Sequence, residues 1–167
     1  MTGEPAGPDG CGQCRTAAAV AACQQLMVRC AVRYDAGKVE DLLRLFTPDV
    51  VVDSPLGLYQ GQEQVRRYYL DVLANFRQSQ HFLTNIDIEL DPATGEPASG
   101  TAYVQAFVLR NDGRDYALGA VYHDTFRFDG QQWLIARHAI EDRFCYEVST
   151  FDPKERLRWT GWPGQEH

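Results

Sequence analysis

Asp35, in Arg-Tyr-Asp-Ala-Gly, and His81, in Gln-His-Phe-Leu-Thr-Asn, are the two side chains that could do chemistry together. A carboxylate bonded to one ring nitrogen fixes the imidazole tautomer and stabilises the imidazolium that forms when the other nitrogen takes a proton. Such a pair moves protons to and from carbon without a cofactor, and help of this kind is worth roughly two to four powers of ten in rate. Tyr34, beside the acid, would hydrogen-bond a substrate oxygen or a water. Val65, Tyr69, Leu83 and Val104 are candidate wall residues of a binding pocket, with His123 and His138 as secondary polar contacts. A carboxylate at a helix end more often faces water, and an isolated histidine is more often surface or core than catalytic. The surrounding elements must therefore bring the two together.

The first of these elements is a helix. Val20, Cys23, Met27, Cys30, Ala31 and Tyr34 fall at spacings of three and four and share one face, from a Thr16 cap to Ala36, with Gly37 as the stop. Asp35 sits beside that stripe. Val39 to Phe46 reads as a short second helix that ends before Pro48, Val50 to Asp53 as a strand, and Gln62 to Arg77 as a third helix. The period then changes to two. Residues 80–90, 100–110, 115–128 and 132–144 read as four strands, with turn signals at Asn111-Asp112-Gly113 and Asp129-Gly130. Several are apolar on both faces, so helices must cover one side of the sheet and a second subunit the other. His81 opens the first of these strands, where a helix-covered concave sheet is most open. His123 follows Tyr122 and precedes Asp124, so alternation sends it to the face opposite both.

The chain has 167 residues, enough for one domain with a substantial core, and a formal net charge of -7 that argues against nucleic acid or an anionic membrane as partner. A hydrophobic small molecule and a second copy of the chain are the expected partners. Residues 1–14 are rich in Gly and Pro and are expected to form a disordered tail, with a domain over 15–144 and an extension over 145–167 that closes a pocket mouth or pads a dimer contact. Cys11-Gly-Gln-Cys14 in that tail lacks a second CxxC and is expected to be inert. The five cysteines, odd in number, suit reduced thiols in a cytoplasmic protein. No HxH or HExxH spacing supports a metal, and no phosphate loop or nucleophile elbow is present. The expectation is no metal and no cofactor.

The Arg-Tyr-Asp-x-Gly helix end, the Leu-Phe-Thr-Pro-Asp-Val-Val-Val-Asp-Ser-Pro run, Tyr59-x-Gly61, His81-Phe-Leu-Thr-Asn85, Gly119-x-x-Tyr122-x-Asp124 and Trp133-Leu-Ile-Ala-Arg137 resemble the SnoaL-like branch of the NTF2-like superfamily, over residues 18 to about 140. The resemblance implies an α+β cone, a curved mixed sheet wrapped around N-terminal helices and a cavity. Scytalone dehydratase is similar at Tyr34, Asp35 and His81, and hexachlorocyclohexane dehydrochlorinase at Asp35 and His81. The dehydrochlorinase's arginine falls on His138. The dehydratase's second histidine falls near Val104, its second tyrosine near Ser54 and its asparagine near Val121, which departs from that pattern. Polyketide cyclases of secondary metabolism share the fold.

These readings lead to a cofactor-independent lyase, isomerase or cyclase in which Asp35 orients His81, His81 moves the proton, and both His81→Ala and Asp35→Asn abolish turnover with little change in melting temperature. A non-catalytic ligand-binding or dimerisation module is the alternative, with the cavity filled by side chains. The small subunit of a ring-hydroxylating dioxygenase is a third, requiring a large partner chain.

Overall fold

In the computed structural model the described residues are 12–148. They form α1 (Gly12–Asp35), α2 (Val39–Leu43), β1 (Phe46–Ser54), β2 (Gly57–Gln60), α3 (Gly61–Leu73), β3 (Phe76–Leu90), β4 (Pro97–Arg110), β5 (Asp115–Phe128) and β6 (Trp133–Val148). The strands make one six-stranded sheet in the order β2-β1-β6-β5-β4-β3. Neighbours are antiparallel except β1 and β6, which run parallel, so the sheet is mixed.

The helices cover one face because their apolar stripes have nowhere else to go. Cys23, Leu26, Met27, Cys30 and Ala31 of α1 and Val65, Tyr68 and Tyr69 of α3 are buried. They meet Val52, Ala102, Val104, Ala120 and Ile135 of the sheet in one core.

The boundaries differ from the sequence reading in instructive ways. Helix α1 begins at Gly12, four residues before Thr16, and carries Cys14, while Cys11 lies outside the described residues. Helix α2 stops at Leu43 and β1 already starts at Phe46. Pro48 is tolerated there because the ladder to β6 shifts register between Phe46 and Val51, so its missing N–H interrupts no pair. Strand β2 stands where only a Gly57 turn was read. Helix α3 ends at Leu73, so Phe76 and Arg77 belong to β3. Strand β6 runs on to Val148, four residues into the expected extension, whose residues 149–167 lie outside the described part.

Candidate active site

Asp35 is the last residue of α1, held there by the way the helix ends. Gly37 takes φ 65°, its N–H donates to the Tyr34 carbonyl at 2.9 Å, and the Lys38 N–H donates to the Arg33 carbonyl at 2.9 Å. This is a Schellman stop, which needs a residue tolerant of positive φ at Gly37. A carboxylate at a helix C-terminus faces the negative end of the dipole, an unfavourable place unless donors are aimed at it. Strand β3 supplies them. It is the sheet's edge, so alternate N–H groups find no partner strand, and Ser79 and His81, two apart, point to the same face. The Ser79 hydroxyl donates to Asp35 Oδ1 at 2.7 Å, the His81 backbone N–H donates to Oδ2 at 2.7 Å, and the His81 ring Nδ1 lies 2.6 Å from Oδ1.

Two donors, the Ser79 hydroxyl and the His81 backbone N–H, already engage the carboxyl oxygens; in the tautomer with its proton on Nδ1 the ring becomes a third, and Nε2 is then the acceptor. Burial pushes the Asp35 pKa upward, but the hydrogen bonds from the His81 ring, the His81 backbone and Ser79 outweigh it and hold the carboxyl below its usual 3.8. The Tyr34 ring meets the His81 ring edge-on at 5.1 Å, and its phenol is raised above its ordinary value, first by burial and then by Tyr68 and Asp35. It remains a neutral donor.

His81 and Tyr34 open on a cavity of about 380 Å³ between α1 and the inner face of β5 and β6. Small residues create the space, Ala31 below and Ala120 opposite, and Leu118 and Ile140 make it apolar. Tyr69, Tyr122 and His138 also line it, and Leu56 and Cys145 stand among its walls with exposed side chains. Burial raises the Tyr69 and Tyr122 phenols well above their ordinary values.

Of the sequence candidates, the structure brings Asp35, His81, Tyr34, Tyr69 and His138 to this site. It does not bring Val65, Leu83, Val104 or His123. Val65 and Val104 fill the closed core, and Leu83, opposite Val104 in the β3–β4 ladder, packs against it. The cavity runs the other way from His81, toward Val108, Arg110 and Phe76. His123 points to the outer face, as alternation requires, and its Nε2 lies 3.2 Å from Glu141 Oε2.

Sequence reasoning missed two site residues. Ser79 shares a face with His81 and was obscured by drawing α3 too long. Asp124 lies directly opposite His138 in the β5–β6 ladder, its Oδ1 2.7 Å from His138 Nδ1, at 1% and 3% exposure. Among the described residues, no group of three or more His, Cys, Asp or Glu is arranged to hold a metal ion. No helix among them is long and apolar enough to cross a membrane.

A curved, unclosed mixed sheet with N-terminal helices over a polar-tipped apolar cavity defines an NTF2-like, or cystatin-like, α+β protein. The chain belongs to the SnoaL-like domain family, whose model matches residues 15–139. It is 30% identical over 127 residues to the uncharacterized protein Rv2910c of Mycobacterium tuberculosis, covering 74% of this chain and 84% of that one. Among solved structures it resembles a provisionally named aromatic ring hydroxylase of Novosphingobium aromaticivorans, at 26% identity and TM-score 0.73, covering 79% of this chain and 94% of that one. It also shares the fold of the hexachlorocyclohexane dehydrochlorinase LinA-type3 of Novosphingobium barchaimii, at 16% identity and TM-score 0.75, covering 83% and 95%.

Proposed function

We propose that this protein is a cofactor-independent lyase, isomerase or cyclase that removes a proton from carbon in a hydrophobic small molecule. Asp35 orients and charge-stabilises His81, His81 Nε2 takes the proton, and Tyr34 hydrogen-bonds the substrate. The observation that carries this reading is the three-donor grip on Asp35 beside a His81 ring that lines an open apolar cavity of about 380 Å³, within the usual size of small-molecule sites. A carboxylate serving only to cap a helix would not need an imidazole turned toward a void. The dehydrochlorinase with the same fold is, by its name, an eliminating enzyme, which agrees with chemistry begun by proton abstraction.

The test uses α-tetralone, a bicyclic ketone with an acidic C–H beside its carbonyl. In D2O the wild-type protein is expected to catalyse deuterium uptake at that carbon, and His81→Ala and Asp35→Asn to lower the rate at least a hundredfold. A variant rate equal to wild type would remove the pair from the reaction.

The same reading includes a homodimer and a cytoplasmic setting. Phe82, Tyr103, Phe107, Phe144 and Tyr146 stand exposed on the outer face of the sheet, across β3, β4 and β6. An antiparallel sheet carrying aromatics on its uncovered side asks for a cover, and a second copy would bury the same surface on both partners.

A further inference from the structure

The cavity has a second carboxylate–imidazole pair, and we propose that it is the site's acid half: Asp124 anchors His138 so that Nε2 binds and polarises the carbonyl oxygen of a neutral, largely apolar ketone whose adjacent C–H faces His81. This rests on the reading of Asp35 and His81 given above and names the substrate class for it.

Position is the first argument. Asp124 and His138 are direct cross-strand partners on the inner face, flanked there by Tyr122 and Phe126 on β5 and by Ile135 and Ile140 on β6. Among the described residues the wall is otherwise mostly apolar and aromatic, with Asp142 and Arg110 as its other charged side chains. A buried ionisable pair contributes little to stability compared with packed hydrophobic side chains of similar size, and this one is incompletely satisfied, because Asp124 Oδ2 is sealed from solvent and finds no hydrogen-bond partner among the described residues. A few polar groups converging on an otherwise largely apolar cavity are what orient a small-molecule ligand.

Geometry supplies the second argument. Nδ1 of His138 is taken by Asp124 at 2.7 Å, so the nitrogen left for a ligand is Nε2, and the imidazole is among the cavity walls. The Tyr122 ring stands edge-on to it at 4.7 Å and Phe46 flanks it at 6.3 Å, which fix its orientation. In the proposed step Nε2 of His138 carries a hydrogen and donates it toward the cavity, with Nδ1 engaged by Asp124 Oδ1. Around Asp35 three donors already satisfy the anion, and His81 accepts.

Charge supplies the third argument. Among the described residues, Arg110 is the only Lys or Arg lining the cavity, and it is paired with Asp112 at 3.1 Å. Among the described residues an anionic ligand would meet no unpaired cation and would face the Asp142 carboxyl, whereas a neutral carbonyl would meet donors. In the step this describes, His81 Nε2 takes the proton from the carbon beside the carbonyl. The C–H electron pair becomes the new C=C bond, the carbonyl π pair moves to oxygen, and that oxygen takes the Nε2 proton of His138. One imidazole gains a proton and the other loses one, and the product is the enol.

The probe is carbonyl-labelled α-tetralone, followed by infrared difference spectroscopy for the carbonyl and by deuterium uptake for the C–H. The bound carbonyl band is expected to lie below its position in hydrocarbon solvent in wild type and in His81→Ala. In His138→Leu it should return toward the hydrocarbon position, with deuterium uptake down at least tenfold. Asp124→Asn keeps the shape of the side chain and should move the band in the same direction, which carries the test if His138→Leu does not fold. A band unmoved by both variants, a band that moves only in His81→Ala, or failure of wild type to bind α-tetralone would overturn the proposal. Uptake indifferent to His81→Ala together with a His138-dependent band would instead retire the base and leave the carbonyl subsite standing.

Discussion

Replacing Asp35 by asparagine separates the chemical role of the carboxylate from its structural one. In the native site Oδ1 accepts from Ser79 and the His81 ring, and Oδ2 accepts from the His81 backbone. An asparagine has one acceptor. With its oxygen in the place of Oδ1 it keeps two of the three bonds, and its amide then opposes the His81 N–H, donor against donor. Leaving a part-buried N–H unmet costs about 1–3 kcal/mol. Removing a negative charge from a helix C-terminus returns about 0.3–1 kcal/mol. The balance is a loss of roughly 0–2.7 kcal/mol, and at about 2–4 °C per kcal/mol for a chain of this size the melting temperature should fall by roughly 0–11 °C. The range runs from the almost unchanged melting temperature expected from the sequence to a fall of several degrees. Turnover should fall by roughly two to four powers of ten, since the amide neither fixes the tautomer nor stabilises the imidazolium. Differential scanning calorimetry and the deuterium-uptake assay read the two effects on one sample. A variant that melts within this range yet exchanges at the wild-type rate would refute the reasoning, because the pair would then be structural only.

Further expectations follow from the same geometry. The Asp35 carboxyl is held below 3.8 in the folded state, so its contribution to stability is present above that pH and is lost as pH falls through the lowered folded value. The gap in melting temperature between wild type and Asp35→Asn should therefore close as pH is taken below 3.8, and a gap that widens would contradict the sign. The Tyr69 hydroxyl is buried without a hydrogen-bond partner, so Tyr69→Phe should leave the melting temperature unchanged or raise it, and a fall of more than a few degrees would reveal a partner. Burial pushes the Cys23 thiol up to about 12 and Cys30 higher still, while Cys14 and Cys145 are exposed. A thiol reagent at neutral pH should label Cys14 and Cys145 first, and early labelling of Cys30 would show the cavity wall open to solvent. Sedimentation of the wild type should give a dimer that Phe107→Lys converts to monomer, and a monomeric wild type would retire that assembly.

The parts of this site that were legible in the sequence are those fixed by local rules. The α1 stripe, the Gly37 stop and the turn from helical to alternating period put Asp35 at a helix end and His81 near a strand start. The edge position of β3 then turns proximity into contact, through an N–H the sheet leaves unpaired. What stayed hidden depends on register. From the turn at Asp129-Gly130 the ladder begins with Phe128 opposite Trp133, and an unbroken hairpin would set Asp124 against Arg137. A register shift between Thr125 and Phe126 moves the pairs from Thr125 to Ala120 by one and delivers Asp124 to His138 instead. Bulges of this kind leave no clear mark in the sequence, so the second pair could not be read from it. The candidates Val65, Leu83 and Val104 lie away from the cavity for a related reason. Periodicity says which residues face inward, and it cannot say which part of the inner face is filled and which is left open.

The most direct measurement of the central claim is a long-range proton–nitrogen NMR spectrum of histidine-labelled protein, recorded with and without α-tetralone. The account predicts that His81 carries its proton on Nδ1, with a far-downfield resonance that disappears in Asp35→Asn, and that adding the ketone shifts the Nε2 signals of His81 and His138 while His123 stays still. A His81 protonated on Nε2, or one whose Nε2 does not respond to the ketone while His123 does, would contradict it.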